Sequence, residues 1–498
     1  MSTFIKRYEA KGGGTVIQVV YKQGRQVMRT VHVGTAHSED DLELLVALAH
    51  DIIRGDQQTL GLFEKATDSV GLMMQRAYPK LLYDSLGRVF DQLGFDQLTD
   101  EVFKQLVIAR LIEPTSKLDT IRVLEHIGQL PPANTEIHRC LRRVIDNNYR
   151  ASLSELCFSA ATPEALSLLL YDVTTLYFEV QKEDGYRVPG MSKERRLEPQ
   201  ITVGLLVGRD GFPLEIASFE GNRAEVKTIV EVLEAFRSRH PGADITVTAD
   251  AAMLSSGNIQ TLEEMGYHYI IASRLAKTPY AIAEYTKDFD AVLTDGQIFD
   301  TTVEMNTGTS APRMSRRIIY QYREKRARLD LLNIDKLLTK AQRMVSGQAE
   351  FKRNRFLKVS GSIKEINYAL VETSRQRAGI KGYLTDLDVA PEEVISAYHQ
   401  LFQVERSFRM TKSDLKARPV FHRLRDSIEA HLTVVFAALA IARRIEAKTQ
   451  MSIKRFINTL RSVQTGVVLV NGRPRIVEPY LSPEIRRLLS LLKQECGS

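Results

Sequence analysis

One stretch limits what this chain can fold into more than any other: Leu168-Leu169-Leu170-Tyr171-Asp172-Val173-Thr174-Thr175-Leu176-Tyr177-Phe178. Its residues are apolar, aromatic and β-branched, which is the make-up of a buried strand, with a single carboxylate in the middle. An ionised Asp on a buried strand is costly unless it is paired or binds a metal. For Asp172 taken alone, a strand-end carboxylate held by a hydroxyl or an arginine reads as well as a functional one.

The segments that follow supply the rest of a sheet. Ile201 to Val207 is a strand, Arg209-Asp210-Gly211 a tight turn, and Leu214 to Phe219 the returning strand. Asn222 with Glu225 reads as a capping box opening a helix through Ile229, Leu233 and Phe236. Ile245 to Asp250 is a strand, Ser256 to Met265 a helix and Tyr267 to Ser273 another strand. Three antiparallel strands, then helix, strand, helix, strand, specify a mixed α/β sheet. The charged, glycine-containing stretch from Gln181 to Pro199 reads as a disordered loop.

In a sheet of that order the first and fourth strands can lie side by side, which brings Asp172 and Asp250 to one edge. Two carboxylates that close repel, and a divalent cation relieves the repulsion. All-oxygen donors at open strand ends suit Mg²⁺ or Mn²⁺ rather than Zn²⁺. Two such ions, about 3.5–4 Å apart, would activate a nucleophile and stabilise the leaving oxygen in displacement at phosphorus.

A third ligand is expected from a helix, and Glu405 is the candidate. A long helix read from Pro391 to about Thr411 puts Tyr398, Leu401, Glu405, Arg409 and Lys412 on one face. A surface ion pair with Arg406 and Arg409 reads the same Glu in another way. Between residues 401 and 425 there are seven Lys or Arg against Glu405 and Asp414, an excess that suits phosphates approaching the site.

Length and charge bound the remainder. A chain of 498 residues exceeds one compact core, and no run of 18 apolar residues is present to span a membrane. The N-terminus lacks the apolar region of a signal peptide, so a cytoplasmic protein is expected. The net charge of +7 allows a nucleic-acid partner without demanding one. Cys140, Cys157 and Cys496 are scattered with no metal-ligand spacing.

Residues 1–37 form an N-terminal β unit with strands at Thr15 to Tyr21 and Val27 to Val33. Residues 38–160 read as helical, with helix starts at Asp100, at Ser116 and after Pro132. The last of these carries Arg139, Arg142 and Arg143 outward, which permits a helix-turn-helix reading, against the commoner ordinary helical domain with solvated charge. Residues 161–275 are the first part of the sheet domain and residues 276–385 an inserted basic subdomain. That insert has strands at Ala291 to Leu293 and Arg317 to Tyr320 and a helix from Leu331 to Val345. Residues 386–448 return to the sheet domain with the Glu helix, and 449–498 form a helical tail. Arg316, Arg317, Arg323, Lys325, Arg326 and Arg328 in the insert suit a DNA-backbone track, or simply a solvated charge run.

These residues resemble the DDE transposases of bacterial insertion sequences, in the group with a Y-x2-R-x3-E-x6-K signature. Tyr398, Glu405 and Lys412 match in identity and spacing, and Leu401 stands where the group has Arg. The Asp172 strand, Thr248-Ala249-Asp250, and Arg418 through His431 resemble further motifs of the group. The resemblance implies an RNase H-like core with a subdomain inserted between the second Asp and the Glu helix. It implies Asp172, Asp250 and Glu405 as catalytic metal ligands for two Mg²⁺ ions, replaceable by Mn²⁺, with Tyr398 and Lys412 on the DNA backbone. It further implies cleavage at terminal inverted repeats, joining of the 3′-hydroxyl ends to target DNA, a homodimer on paired DNA ends, and a nucleoid location when bound. Competing readings are a catalytically silent DNA-binding protein on the same scaffold and a related metal-dependent nuclease.

Overall fold

The structure is a computed structural model that describes residues 2–10, 13–24, 26–36, 38–54, 72–178, 183–190, 198–241, 245–251, 256–273, 279–288, 292–306, 313–350, 352–360, 363–417, 424–470 and 473–494. The chain divides into two compact units. One comprises Met1–Leu156, Thr411–Ala417 and Phe421–Ser498, and the other Cys157–Met410 with Arg418–Val420.

The first unit opens with a three-stranded antiparallel meander, β1 (Ser2–Glu9), β2 (Thr15–Gln23) and β3 (Gln26–Ala36). Alternation along β2 sends Ile17, Val19 and Tyr21 to one side, where Val46 and Ala49 of α1 (Glu39–Arg54) cover them. The sequence reading had two of these three strands; β1 carries Lys6 and Arg7 on opposite faces, which blurs its alternation. Next come β4 (Leu72–Tyr78), α2 (Lys80–Gln92), α3 (Glu101–Ile112), α4 (Lys117–His126), α5 (Asn134–Asp146) and α6 (Tyr149–Ala160), whose last residues belong to the second unit. Asp100 and Ser116 cap α3 and α4 by accepting from the amides of Phe103 and Asp119. The strand β4 falls within the stretch read as helical. Its pairing partner lies almost 400 residues away, beyond the reach of local periodicity.

The second unit begins with α7 (Pro163–Leu166) and the strands β5 (Leu168–Tyr177), β6 (Gln200–Val207) and β7 (Pro213–Glu220). It continues with α8 (Glu225–Arg239), β8 (Thr246–Ala249), α9 (Ser256–Glu264), β9 (His268–Ser273), α10 (Tyr280–Asp288), β10 (Ile298–Asn306) and β11 (Arg313–Tyr322). After α11 (Glu324–Val345) come β12 (Leu357–Ser360), β13 (Ile363–Ile366), α12 (Tyr368–Gln376), β14 (Ile380–Thr385), α13 (Pro391–His399) and α14 (Phe402–Ser413), whose last residues belong to the first unit. Eight strands form one sheet in the order β10-β11-β14-β9-β8-β5-β6-β7, with β5, β8 and β9 parallel and the other pairings antiparallel. This is the mixed α/β sheet that the order of elements led one to expect. Gly204 in β6 makes room for the Tyr171 ring: a Cβ there would lie 2.3 Å from the phenol oxygen.

Several details depart from the sequence reading. Helix α8 starts at Glu225 with Ala224 as its N-cap and no side-chain cap, so Asn222 lies two residues too early to serve. Residues 276–385 are not set apart from the sheet. β10, β11 and β14 extend it beyond β9, covering an edge that would otherwise expose unpaired backbone groups. Only α11, β12, β13 and α12 gather around a small core of their own, made by Ile334, Ala341, Phe356 and Val371. No strand forms at Val292 and Leu293, and Val292 is exposed; Ala291 lies outside the described residues. Parts of the Gln181–Pro199 loop also lie outside them, while Val188 bridges to Gln200 on β6.

The chain ends with α15 (Arg425–Thr449), α16 (Ile453–Arg461), β15 (Thr465–Val470), β16 (Arg473–Val477) and α17 (Pro483–Lys493). β15 pairs with both β16 and β4. α15 is buried along nearly its whole length and packs against α2, α3 and α5 in the first unit, where an ion pair joins Arg150 to Glu429 at 2.6 Å. The sequence reading had grouped this helix with the Glu helix. Among the described residues no helix is long and apolar enough to cross a membrane.

Candidate active site

Strand register sets the two aspartates level with each other on adjacent strands, although Asp172 lies in the middle of β5 and not at its end as the sequence suggested. β5 and β8 run parallel with Leu168 opposite Thr246, Leu169 opposite Val247 and Leu170 opposite Thr248. Two residues beyond the last pair come Asp172, still in β5, and Asp250, just past the end of β8. Tyr171 points to the opposite face, where its hydroxyl donates to Thr228 of α8 at 2.9 Å. Asp172 is therefore turned away from α8 and is half-buried, and Asp250 is exposed.

The same face continues across the sheet. Thr248 lies beside Ile270, and Ala272, two residues on, lies beside Tyr383 of β14. Lys381, two residues before Tyr383, shares its side of β14. Helix α13 packs against β8, β9 and β14. Its Tyr398 is buried, stacks edge-on against Tyr383 at 5.0 Å between ring centres, and donates its hydroxyl to Asp250 Oδ1 at 3.3 Å. Lys381 Nζ sits 4.0 Å from the centre of the Tyr398 ring, in cation–π range.

Burial, then the charge of Asp250, pushes the Tyr398 phenol well above its usual range, so it stays protonated and donates. Burial, then the charge of Arg326, pushes Lys381 down, while Asp250 and Glu405 pull it back. Glu405 thus acts electrostatically on both Lys381 and Tyr398. Lys381 escaped the sequence reading. The signal was there in the form Asp172 also took: one charge in the otherwise apolar strand Ile380 to Thr385.

Glu405 does not share a continuous helix with Tyr398. The expected long helix breaks at Gln400 and Leu401, where amides reach back only three residues, and α14 starts afresh at Phe402. The common face of Tyr398, Leu401 and Glu405 is corrected accordingly: Tyr398 and Leu401 are buried, and Glu405, on the first turn of α14, is exposed. Among the described residues no three His, Cys, Asp or Glu side chains lie close enough to hold one metal ion. The two aspartates carry the oxygen donors that a hard divalent cation takes. The three-carboxylate set does not close in this geometry.

The basic candidates fare unevenly. Arg406 and Arg409 are exposed on α14, and Lys412 near its end is half-buried. The run from Arg313 to Arg328 is split between β11 and α11, so it does not present one continuous track. Arg316 is 5 % exposed and paired with Glu263 at 2.8 Å, which removes it from any surface track, because β11 is an interior strand. Arg317 is held by Asp300 and by the Leu387 carbonyl. Arg323 and Arg326 make looser pairs with Asp295 and Asp330, both at 3.6 Å, Arg328 pairs with Glu324, and Lys325 is exposed. On α5, Arg139 pairs with Glu136, Arg142 is exposed and Arg143 is committed to Asp100. The link from His126 to Asn134 is longer than the three- or four-residue turn of a helix-turn-helix.

Among solved structures, the chain is similar to a piggyBac transposase in a synaptic complex with hairpin DNA, at 10 % identity over 82 % of this chain and 74 % of that chain, with a TM-score of 0.38. A comparison with curated proteins gives no significant match. The family described as "Transposase DDE domain" matches residues 163–441. That span takes in more than half of the chain, with Asp172, Asp250 and Glu405 inside it: the protein belongs to the transposase DDE-domain family.

Proposed function

We propose that this protein is the transposase of a bacterial insertion sequence, cutting DNA at terminal inverted repeats and joining the freed 3′-hydroxyl ends to target DNA. The observation that supports the reading is the level placement of Asp172 and Asp250, each two residues past the last β5–β8 pair, within the family match. Asp172, Asp250 and Glu405 would hold Mg²⁺ or Mn²⁺, which when bound polarises the scissile phosphate and activates the attacking oxygen. The chain's own residues prepare the site. Tyr398 orients the Asp250 carboxylate with its hydroxyl, and Lys381 supplies positive charge beside it, where a phosphate would otherwise meet only carboxylates. Arg406, Arg409 and Lys412 suit backbone contacts, and a homodimer on paired ends follows from the need to join two ends in one event.

The test is incubation of labelled DNA carrying the element's ends with the protein and Mg²⁺. Nicked and joined products are expected. Cut but never joined ends would favour a nuclease. Binding without product at any Mg²⁺ or Mn²⁺ concentration would favour a silent DNA-binding protein, the reading that the unclosed carboxylate set supports.

Tyr398→Phe keeps the buried ring and its contacts with Tyr383 and Lys381 and removes only the hydroxyl on Asp250. Loss of one such bond, about 1 kcal/mol, should slow nicking roughly fivefold in single-turnover assays while the melting temperature stays close to wild type. An unchanged rate would mean that the hydroxyl does not orient Asp250.

A further inference from the structure

Two cavities meet at Lys381. The first, about 570 Å³, runs from Asp250 to the small insert core, with Ile334, Leu337 and Phe356 among its lining and Arg326, Arg355 and Arg377 also facing it. The second, about 590 Å³, is lined by Arg323, Lys325, Tyr383 and His399. Both share Arg326, Asp330, Asn333 and Lys381, so they form one groove with the Asp250 end of the sheet opening into it.

Six cations line that groove against two carboxylates, Asp250 and Asp330. Among the described residues no carboxylate pairs with Arg355 or Lys381, and the pair between Arg326 and Asp330 is loose at 3.6 Å. Arg355 donates to the Ser374 hydroxyl at 3.3 Å, and Arg377 donates from Nε to the Thr373 carbonyl. Burial, then the nearby Arg355 charge, pushes Arg377 down, and Arg326 does the same to Lys381, so like charges face one another in two places. Lys325, Arg355 and Lys381 converge on the groove with no carboxylate pair among the described residues, which is unfavourable until an anion arrives. A single phosphate would answer one such place. Cations spread along two cavities in series answer a polyanion whose charges repeat along a chain.

We infer that this groove binds a run of backbone phosphodiesters of the DNA strand that continues past Asp250. Lys381 takes the phosphate nearest the carboxylates, and Arg355 and Arg377 take those beyond it. The inference rests on the proposed transposase reading, since DNA is the polyanion that reading supplies.

The experiment measures binding of a labelled DNA duplex to the full chain without divalent metal, over a range of salt concentrations, so that cutting plays no part. Each phosphate contact contributes a slope of about 0.9 to the fall of log K with log salt. The Arg355→Gln, Arg377→Gln double variant should lower the slope by roughly one to two and weaken binding on the order of tenfold at moderate salt. Arg355→Lys with Arg377→Lys should keep the wild-type slope. Should the first pair of changes disturb folding, judged by circular dichroism, Lys325→Gln with Arg326→Gln on the exposed side of α11 gives an independent reading with the same expected drop. A wild-type slope in either folded glutamine variant overturns the groove while leaving the transposase reading intact. Failure of the wild-type chain to bind duplex at any salt concentration overturns both.

Discussion

Replacing Asp250 or Asp172 with alanine is expected to slow DNA nicking about 10³-fold or more, since several kcal/mol of transition-state stabilisation depend on the charges these carboxylates hold at phosphorus. The register of β5 against β8 sets both residues two positions past the Leu170–Thr248 pair. Neither is deep in the core: Asp250 is exposed and Asp172 half-buried, so both variants should melt within a few degrees of wild type. Asp250→Asn sharpens the test. It keeps the shape of the side chain and an oxygen for the Tyr398 hydroxyl while removing the charge, and it should lose as much activity as alanine does. Binding of duplex DNA should survive all three changes, because backbone and base contacts lie elsewhere. Full nicking by Asp250→Ala would remove this residue from the catalytic set.

The largest effect on stability is expected at Asp100. Its side chain is 4 % exposed and serves three partners at once. It caps α3 through the Phe103 amide at 3.1 Å, accepts a forked pair of bonds from Arg143 at 2.9 Å each, and accepts the Tyr149 hydroxyl at 3.0 Å. Asp100→Ala removes the cap and strands Arg143. A fully buried pair broken in this way costs about 3–5 kcal/mol, and Arg143 is 38 % exposed, so about 2–3 kcal/mol is expected in urea denaturation. The pH dependence gives a second reading. Burial by itself would raise the Asp100 carboxyl, but the donors of Arg143, Phe103 and Tyr149 outweigh it and hold the group below its ordinary range. A carboxylate depressed in the folded state stabilises fully above the unfolded carboxylate range and loses that contribution as pH falls through its folded value. The stability gap between wild type and Asp100→Ala should therefore be constant near neutrality and narrow in acid. A gap independent of pH would mean that the charge on Asp100 is not what joins α3 to α5.

Much of the second unit is readable from the sequence. The composition of the Asp172 strand, the hairpin at Arg209-Asp210-Gly211, the strand ending at Asp250 and the helix between them are local signals: period two, turn residues and period 3.6. Their order alone allowed β5 and β8 to be neighbours. The caps at Asp100 and Ser116 were legible for the same reason, since a cap lies within four residues of what it satisfies. The capping box at Asn222 and the unbroken helix through Glu405 were misread because local pattern permits those structures without requiring them.

What only the tertiary structure decided were pairings across long stretches of chain and the environments of individual charges. Nothing near Leu72 announces that β4 will pair with β15, and nothing in the basic stretch from Arg313 to Arg328 says that its first half becomes an interior strand. Arg316 and Arg143 looked like their neighbours in sequence, and Glu263 and Asp100, distant in the chain, turned them into structural ion pairs. Lys381 was one more lysine until β14 set it beside Tyr398 at the Asp250 end of the sheet. The sequence by itself determined most strands and helices of the sheet domain and the two acidic positions on β5 and after β8, because backbone period and side-chain polarity act over a few residues. The sheet register determined which charges meet, because the energy of a charge depends on its neighbours in space, and these come from every part of the chain.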